Sequence, residues 1–198
     1  ARAFDLLGRA LRCGTASPDL PSLLDGLERL AALTDAQDKL LDLYREIAPD
    51  LLDAELQVRC NLRVAEIAEN AFGDVAVARE HYVKVLDLDG ENAAALDALE
   101  RIFGAQNQHI ELFDIYRRKV QCAANDAERR EILFKQARLC EESLEDISGA
   151  MQTYETILES DPENAAALSA LERLYPRADR YADLMDLLER RASMEPSG

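Results

Sequence analysis

The side chains most often used for catalysis are sparse in this sequence. Its two histidines, His81 and His109, are 28 residues apart, and neither has a serine or cysteine motif beside it that would form a nucleophile–base pair. The glycine patterns of phosphate-binding loops, dinucleotide sites and hydrolase nucleophile elbows do not occur. We therefore predict a non-enzymatic protein without a cofactor, and we expect both histidines to lie at the surface or at its rim.

Four cysteines are the next candidates for metal or redox chemistry. Cys13, Cys60, Cys122 and Cys140 are far apart and form no C-x-x-C pair, so their spacing does not resemble that of a zinc site. The sequence favours small apolar core residues at all four positions, with a disulfide or a reactive thiol as the alternatives. This cysteine usage favours a reducing compartment, and hence the cytoplasm, over an oxidising one.

One acidic segment imitates part of a calcium-binding loop. Residues 87–92 read DLDGEN, with carboxylates that alternate around a glycine. Residues 159–164, ESDPEN, have the same layout with proline in place of the glycine. Ala98 occupies the position where such a loop needs a bidentate glutamate. The pattern therefore predicts a turn between helices rather than a metal site.

Composition narrows both the fold and the partners. The 198 residues are 48% hydrophobic, which is enough for a continuous core, and only 8 glycines and 6 prolines interrupt a sequence rich in good helix formers. We predict an all-α protein. With 39 acidic and 23 basic residues the formal charge is -16, which repels nucleic-acid phosphates and anionic lipids at long range. No apolar run is long enough for a membrane span, so we predict neither nucleic-acid binding nor membrane insertion.

A 72-residue period organises the chain. The segment ENAAAL at 91–96 recurs at 163–168, and ALER at 98–101 recurs at 170–173 in the same register. A fixed period of this kind is typical of a solenoid, in which each unit buries its apolar face against its neighbours. We predict one domain over 1–198, with a partial unit at 2–50 and full units at 51–122 and 123–194.

Within the two full units, apolar residues recur at helical spacing in eight stretches. These stretches are 54–71, 75–88, 92–104, 108–123, 127–144, 147–160, 164–175 and 178–193. Helices of this length are marginal in isolation, so they must be stabilised by packing against one another. The repeat phase makes residues 2–13 the second helix of a hairpin whose first helix would precede Ala1. We therefore expect eleven helices, in a segment of a longer array whose cut ends could self-associate.

Residues 146–164, DISGAMQTYETILESDPEN, resemble the tetratricopeptide repeat family, whose hairpins pair two helices and close with an Asp-Pro turn. Ala150 stands at the family's small position in the second helix, Tyr154 at its aromatic position and Asp161-Pro162 at its closing turn. The resemblance covers nearly the whole chain, although the characteristic tryptophan is absent and the second hairpin of each unit is less regular. It implies a right-handed α-solenoid of antiparallel helical hairpins.

The repeat also singles out charged residues that could bind a partner. Six residues at repeat-related positions are the candidates: Arg29, Arg101, Arg173, Arg138, Asp25 and Asp97. The family resemblance places their helices along a concave groove, and guanidinium groups suit bidentate contacts to carboxylates. The alternative is that these arginines form ion pairs within the chain, with Glu28, Glu100 or Glu172 or with a neighbouring helix.

The sequence therefore predicts a non-catalytic scaffold that binds a protein or peptide partner, of unknown identity, in a concave groove. The alternative is a structural spacer within a larger multi-repeat protein, with no ligand in the groove.

Overall fold

The computed structural model describes residues 2–13 and 19–194. This part of the chain consists of α-helices, short turns and two 3-10 turns, Ala48–Asp50 and Tyr175–Ala178, and it contains no strand. Its eleven α-helices are α1 (Arg2–Cys13), α2 (Leu20–Thr34), α3 (Gln37–Ile47), α4 (Ala54–Phe72), α5 (Val75–Leu88), α6 (Ala93–Ala105), α7 (His109–Cys122), α8 (Asp126–Glu142), α9 (Ile147–Ser160), α10 (Ala165–Leu174) and α11 (Tyr181–Met194). The predicted all-α class is confirmed.

The helices form hairpins within two compact units, Ala1–Ile102 and Phe103–Gly198, and α6 crosses the boundary between them. In the first unit α4 packs along α5, α3 packs against α4 and α1 packs against α2. In the second unit α8 packs along α9, and α10 packs against both α9 and α11. The connections α4–α5 and α8–α9 within these units are short, and short connections favour antiparallel neighbours.

Small residues let the helices of each hairpin approach closely. Ala65 on α4 and Ala78 on α5 are fully buried, and so are their counterparts one period later, Ala137 on α8 and Ala150 on α9. A larger side chain at any of these four buried positions would require its neighbours to move. The predicted small positions of the first hairpin in each full unit are therefore part of its core.

The connection inside these hairpins is also repeated. Gly73 ends α4 with a left-handed φ of 66°, and the next residue, Asp74, caps α5 by accepting a hydrogen bond from the backbone N–H of Val77 at 3.1 Å. One period later Glu145 has a φ of 54°, and Asp146 caps α9 in the same way. Each left-handed residue reverses the chain, and each aspartate satisfies a backbone donor that the helix leaves free.

The acidic segment around residue 90 is a turn between α5 and α6. Asp89 accepts hydrogen bonds from the backbone N–H of Glu91 and from the side chain of Asn92, at 3.3 and 2.9 Å. Asp161 accepts the corresponding bond from Asn164 at 3.0 Å. The two segments thus share one turn structure, as the repeat predicts.

The boundary between α10 and α11 differs from the prediction of a helix over 178–193. The α-helix ends at Leu174, a 3-10 turn follows, and α11 begins only at Tyr181. Pro176 has no N–H to continue the α-helical ladder, and Asp179 then adopts a left-handed φ of 56°. The proline therefore delays the second helix of this hairpin by three residues.

Candidate protein-binding surface

Two of the predicted arginines make the same contact in different parts of the chain. Arg101 on α6 forms an ion pair with Glu69 on α4, and Arg173 on α10 forms one with Glu141 on α8. In the second pair, Arg173 Nη2 also donates to Glu141 Oε2 at 2.8 Å, so this contact is bidentate. Each arginine is therefore anchored to the first helix of the preceding hairpin.

The two partners of each ion pair differ strongly in exposure. The side chains of Arg101 and Arg173 are 61% and 56% exposed, whereas those of Glu69 and Glu141 are 11% and 9% exposed. The hydrogen bond from the arginine holds the pKa of each glutamate below its usual value, although burial acts in the opposite direction. The glutamates remain ionised at neutral pH and hold the guanidinium groups in fixed positions at the surface.

The charge balance differs between the two sites. Glu141 also pairs with Arg177, whose Nη1 lies 3.2 Å from Glu141 Oε1, so two guanidinium groups share one carboxylate. Glu69 instead accepts a second hydrogen bond from the neutral hydroxyl of Tyr82, at 3.3 Å. Glu141 therefore has two arginine partners, whereas Glu69 has one arginine and a tyrosine hydroxyl.

Arg29, which lies one period before Arg101, has a different environment from Arg101 and Arg173. Arg29 is exposed on α2, and the described residues offer it no ion pair. Its helix is joined to the next hairpin by another arginine, Arg59 on α4, which contacts Asp25 at 2.6 Å and Glu28 at 2.9 Å. Asp25 is therefore held in an ion pair within the chain.

The two remaining candidates are exposed at separate places. Asp97 lies on α6 in the first unit, and Arg138 lies on α8 in the second. The arginines of the two ion pairs, Arg101 and Arg173, each have a carboxylate partner outside the predicted set. Those partners, Glu69 and Glu141, were missed. Their signal was present, since they too are related by the 72-residue period.

The expectation that His81 lies at the surface or rim is wrong. Its side chain is only 4% exposed, and its Nδ1 lies 2.8 Å from Asn61 Oδ1. Burial, and then the charge of nearby Lys84, lowers the pKa of His81 to about 4. Helical spacing places His81 on the buried face of α5 together with Ala78 and Tyr82. His109 is partly buried at the start of α7, in agreement with the expectation.

The cysteines divide by position. Cys60 and Cys140 are fully buried free thiols, and burial raises their pKa values to about 12 and about 11. Cys122 departs from the core prediction, because it is only partly buried at the last residue of α7, where its Sγ donates to the Arg118 carbonyl. Cys13 is the last residue of α1, and its side chain lies outside the described residues.

Two further properties concern the described residues as a whole. Within 2–13 and 19–194, no group of three or more histidine, cysteine, aspartate or glutamate side chains is placed to hold a metal ion. Over the same residues, every helix is too short or too polar to cross a bilayer.

The helical hairpins, their small contact residues and their repeated turns define an all-α helical-repeat fold. No family model and no curated protein matches the sequence. Among solved structures, a tetratricopeptide repeat protein from Parabacteroides merdae is similar with 15% identity and a TM-score of 0.49, over 98% of this chain and 73% of that one. MamA is similar with 14% identity and a TM-score of 0.47, over 92% of this chain and 99% of that one.

Proposed function

We propose that this chain is a non-catalytic protein-interaction scaffold that binds a peptide or protein partner along the first helices of its hairpins. The observation that carries the proposal is the pair of anchored arginines, Arg101 and Arg173, whose guanidinium groups are largely exposed over nearly buried glutamates. A positioned guanidinium loses less conformational entropy on binding than a free one does, so it recognises a carboxylate more strongly.

The arginines at each site indicate what the partner carries there. Arg173 and Arg177 share one carboxylate, and two neighbouring guanidinium groups favour an acidic residue of the partner. Glu69 has Arg101 as its ion-pair partner, so this site favours a carboxylate less strongly. A partner segment with an acidic residue at the Arg173 site fits this arrangement.

A second candidate function is a structural spacer, and the same ion pairs favour it. Glu69–Arg101 and Glu141–Arg173 each tie together the first helices of two successive hairpins, which is a way to stiffen an array. On this hypothesis the arginines stabilise the chain and no partner contacts them.

A quantitative pull-down distinguishes the two functions. The chain is the bait in an extract of its source organism at about 50 and about 200 mM salt, because surface charge pairs are screened over this range. The test variant is Arg101→Ala/Arg173→Ala. The matched control is Arg12→Ala/Arg117→Ala, which removes two other exposed arginines that also form ion pairs, on α1 and α7. Circular dichroism is used to check that both variants keep their helices.

The scaffold hypothesis predicts a protein that saturates the wild type and the control, and that is lost from the test variant and weakened at the higher salt. Equal capture by all three chains would show that Arg101 and Arg173 do not bind the partner. If no chain captures anything saturably, the spacer function replaces the scaffold.

A further inference from the structure

The first unit contains a cavity whose lining does not include Arg101 or Arg173. It has a volume of about 280 Å³ and lies where α3, the 3-10 turn Ala48–Asp50, α4 and α5 meet. This volume is at the lower end of the range for small-molecule sites, so the cavity suits a single side chain. The buried polar pair Asn61 and His81 forms part of its lining.

Hydrogen bonds fix which ring nitrogen of His81 carries the proton. Asn61 Nδ2 donates to the Gln57 carbonyl at 2.8 Å, which turns Asn61 Oδ1 toward His81. Since Oδ1 is an acceptor, His81 Nδ1 carries the proton and donates to it. His81 Nε2 is then an acceptor, and it has no hydrogen-bond partner among the residues that the structure describes.

The repeat provides an internal reference for this pair. The counterpart of Asn61 in the second unit is Leu133, a buried apolar residue of α8. The counterpart of His81 is Thr153, whose hydroxyl donates to the Gly149 carbonyl of its own helix at 2.8 Å. The hairpin therefore packs without a polar pair at these positions. A buried polar pair is usually no more stabilising than apolar residues of similar size, so its presence in the first unit needs another explanation.

The rest of the lining limits what the cavity can accept. Ala48, Pro49 and Leu88 supply apolar walls. Arg45 and Lys84 bring two cations, and Lys84 is held by Glu80 at 2.7 Å. Cations beside an apolar cavity attract the face of an aromatic ring. A ring that also carries a hydrogen-bond donor would satisfy His81 Nε2.

We propose that this cavity binds the phenol of a tyrosine side chain from a partner protein. The ring packs between the apolar walls and beside the Arg45 guanidinium, and the hydroxyl donates to His81 Nε2. The inference rests on the proposed protein-binding function only for the source of the tyrosine, since it involves neither Arg101 nor Arg173.

A carboxylate fits the cavity less well. It could pair with Arg45 or Lys84, but to contact His81 Nε2 it would need a proton there, and burial and the charge of Lys84 lower the pKa of His81 to about 4, so the ring is neutral at pH 7. Asp87 also lines the cavity and would repel an anion. A neutral donor avoids both penalties.

The test is a nuclear magnetic resonance titration of the whole chain with N-acetyl-tyrosinamide, followed through the ring nitrogen resonances of His81. For a probe of this size we expect a dissociation constant on the order of 1–10 mM. N-acetyl-phenylalaninamide has the same ring without the donor, and it should bind about 3- to 10-fold more weakly, the ratio that one net hydrogen bond gives. N-acetyl-tyrosinamide should shift the His81 Nε2 resonance far more than N-acetyl-phenylalaninamide does.

Two variants localise the effect. Asn61→Leu/His81→Thr introduces the residues of the second unit. It should abolish the preference for N-acetyl-tyrosinamide over N-acetyl-phenylalaninamide. His109→Gln removes the other histidine, which does not line the cavity, and should leave binding unchanged.

Equal binding of the two amides, or no shift of the His81 resonances at about 50 mM probe, would overturn the proposal, and neither result needs a variant that folds. Acetate is the third probe. If acetate binds and raises the pKa of His81, so that the ring takes a proton from solvent, while N-acetyl-tyrosinamide does not bind, the cavity is an anion site and the phenol assignment is wrong. None of these outcomes tests partner binding at Arg101 and Arg173. Conversely, loss of partner capture by Arg101→Ala/Arg173→Ala does not test the cavity.

Discussion

His81 makes the stability of the first unit depend on pH between neutrality and pH 4. The perturbation is acidification from pH 7. In the folded chain the ring is buried against Asn61, and Lys84 adds positive charge nearby. Glu80 acts in the opposite direction, and Arg45 adds a smaller contribution of the same sign as Lys84. The folded state therefore resists protonation of His81 in a range where the unfolded chain accepts the proton freely.

The sign and size follow from the two pKa values. His81 has a pKa of about 4 when folded, against 6.5 for the free side chain. Above pH 6.5 the ring is neutral in both states, so the free energy of unfolding does not depend on its titration. Between 6.5 and 4 only the unfolded state gains the proton, and the free energy of unfolding falls. At about 1.4 kcal/mol for each unit of pKa difference, the full loss is about 3 to 4 kcal/mol, and about 3 kcal/mol of it is reached by pH 4, where the folded ring is half protonated.

The assay compares urea unfolding of the wild type and of Asn61→Leu/His81→Thr, in steps from pH 7 to pH 4, by circular dichroism. Carboxylates titrate in both proteins and cancel in the difference between them. The stability of the wild type relative to the variant should fall by about 3 kcal/mol across this range. Stability curves that stay parallel from pH 7 to pH 4 would refute the reasoning. A His81 pKa above 6, measured by nuclear magnetic resonance, would refute it as well. The other histidine, His109, serves as the reference for assigning the resonances.

Two further predictions concern the ion pairs and the thiols. Arg101→Ala should lower the free energy of unfolding by about 2 kcal/mol and Arg173→Ala by about 1 kcal/mol, because only the second substitution leaves the nearly buried glutamate with another arginine. Urea unfolding at pH 7 checks this, and a larger loss for Arg173→Ala would contradict it. In the native chain, iodoacetamide should modify Cys122 at least about tenfold faster than Cys60 or Cys140, which burial shields and whose pKa values it raises. Peptide mass spectrometry measures the rates, and equal labelling without urea would show that the core opens readily.

Much of the fold was predictable because it depends on local and periodic features. The stretch predicted at 75–88 is a helix with those bounds, and so is its counterpart at 147–160. An aspartate that caps a helix and an alanine at a close contact act over a few residues, so their effect can be deduced from spacing. The helix predicted to start at 178 was wrong because Pro176 changes the backbone hydrogen bonding several residues further on.

The candidate sites were less predictable. The period identified Arg101 and Arg173 as special positions, but it did not select their glutamate partners from the alternatives considered. Those partners lie 32 residues earlier, on another helix. An ion pair depends on which residues the packing of two helices brings within reach, and sequence spacing along one helix does not contain that distance.

The sequence by itself determined the all-α class, the helical hairpins and the 72-residue repeat, because helix periodicity, capping residues and small contact residues each act through neighbouring positions. The tertiary structure decided how the polar residues inside that pattern are used. Asn61 and His81 stand on apolar helix faces where a polar side chain either reaches the rim or is buried with a partner. The packing of α4 against α5 places their polar atoms 2.8 Å apart in the lining of a cavity.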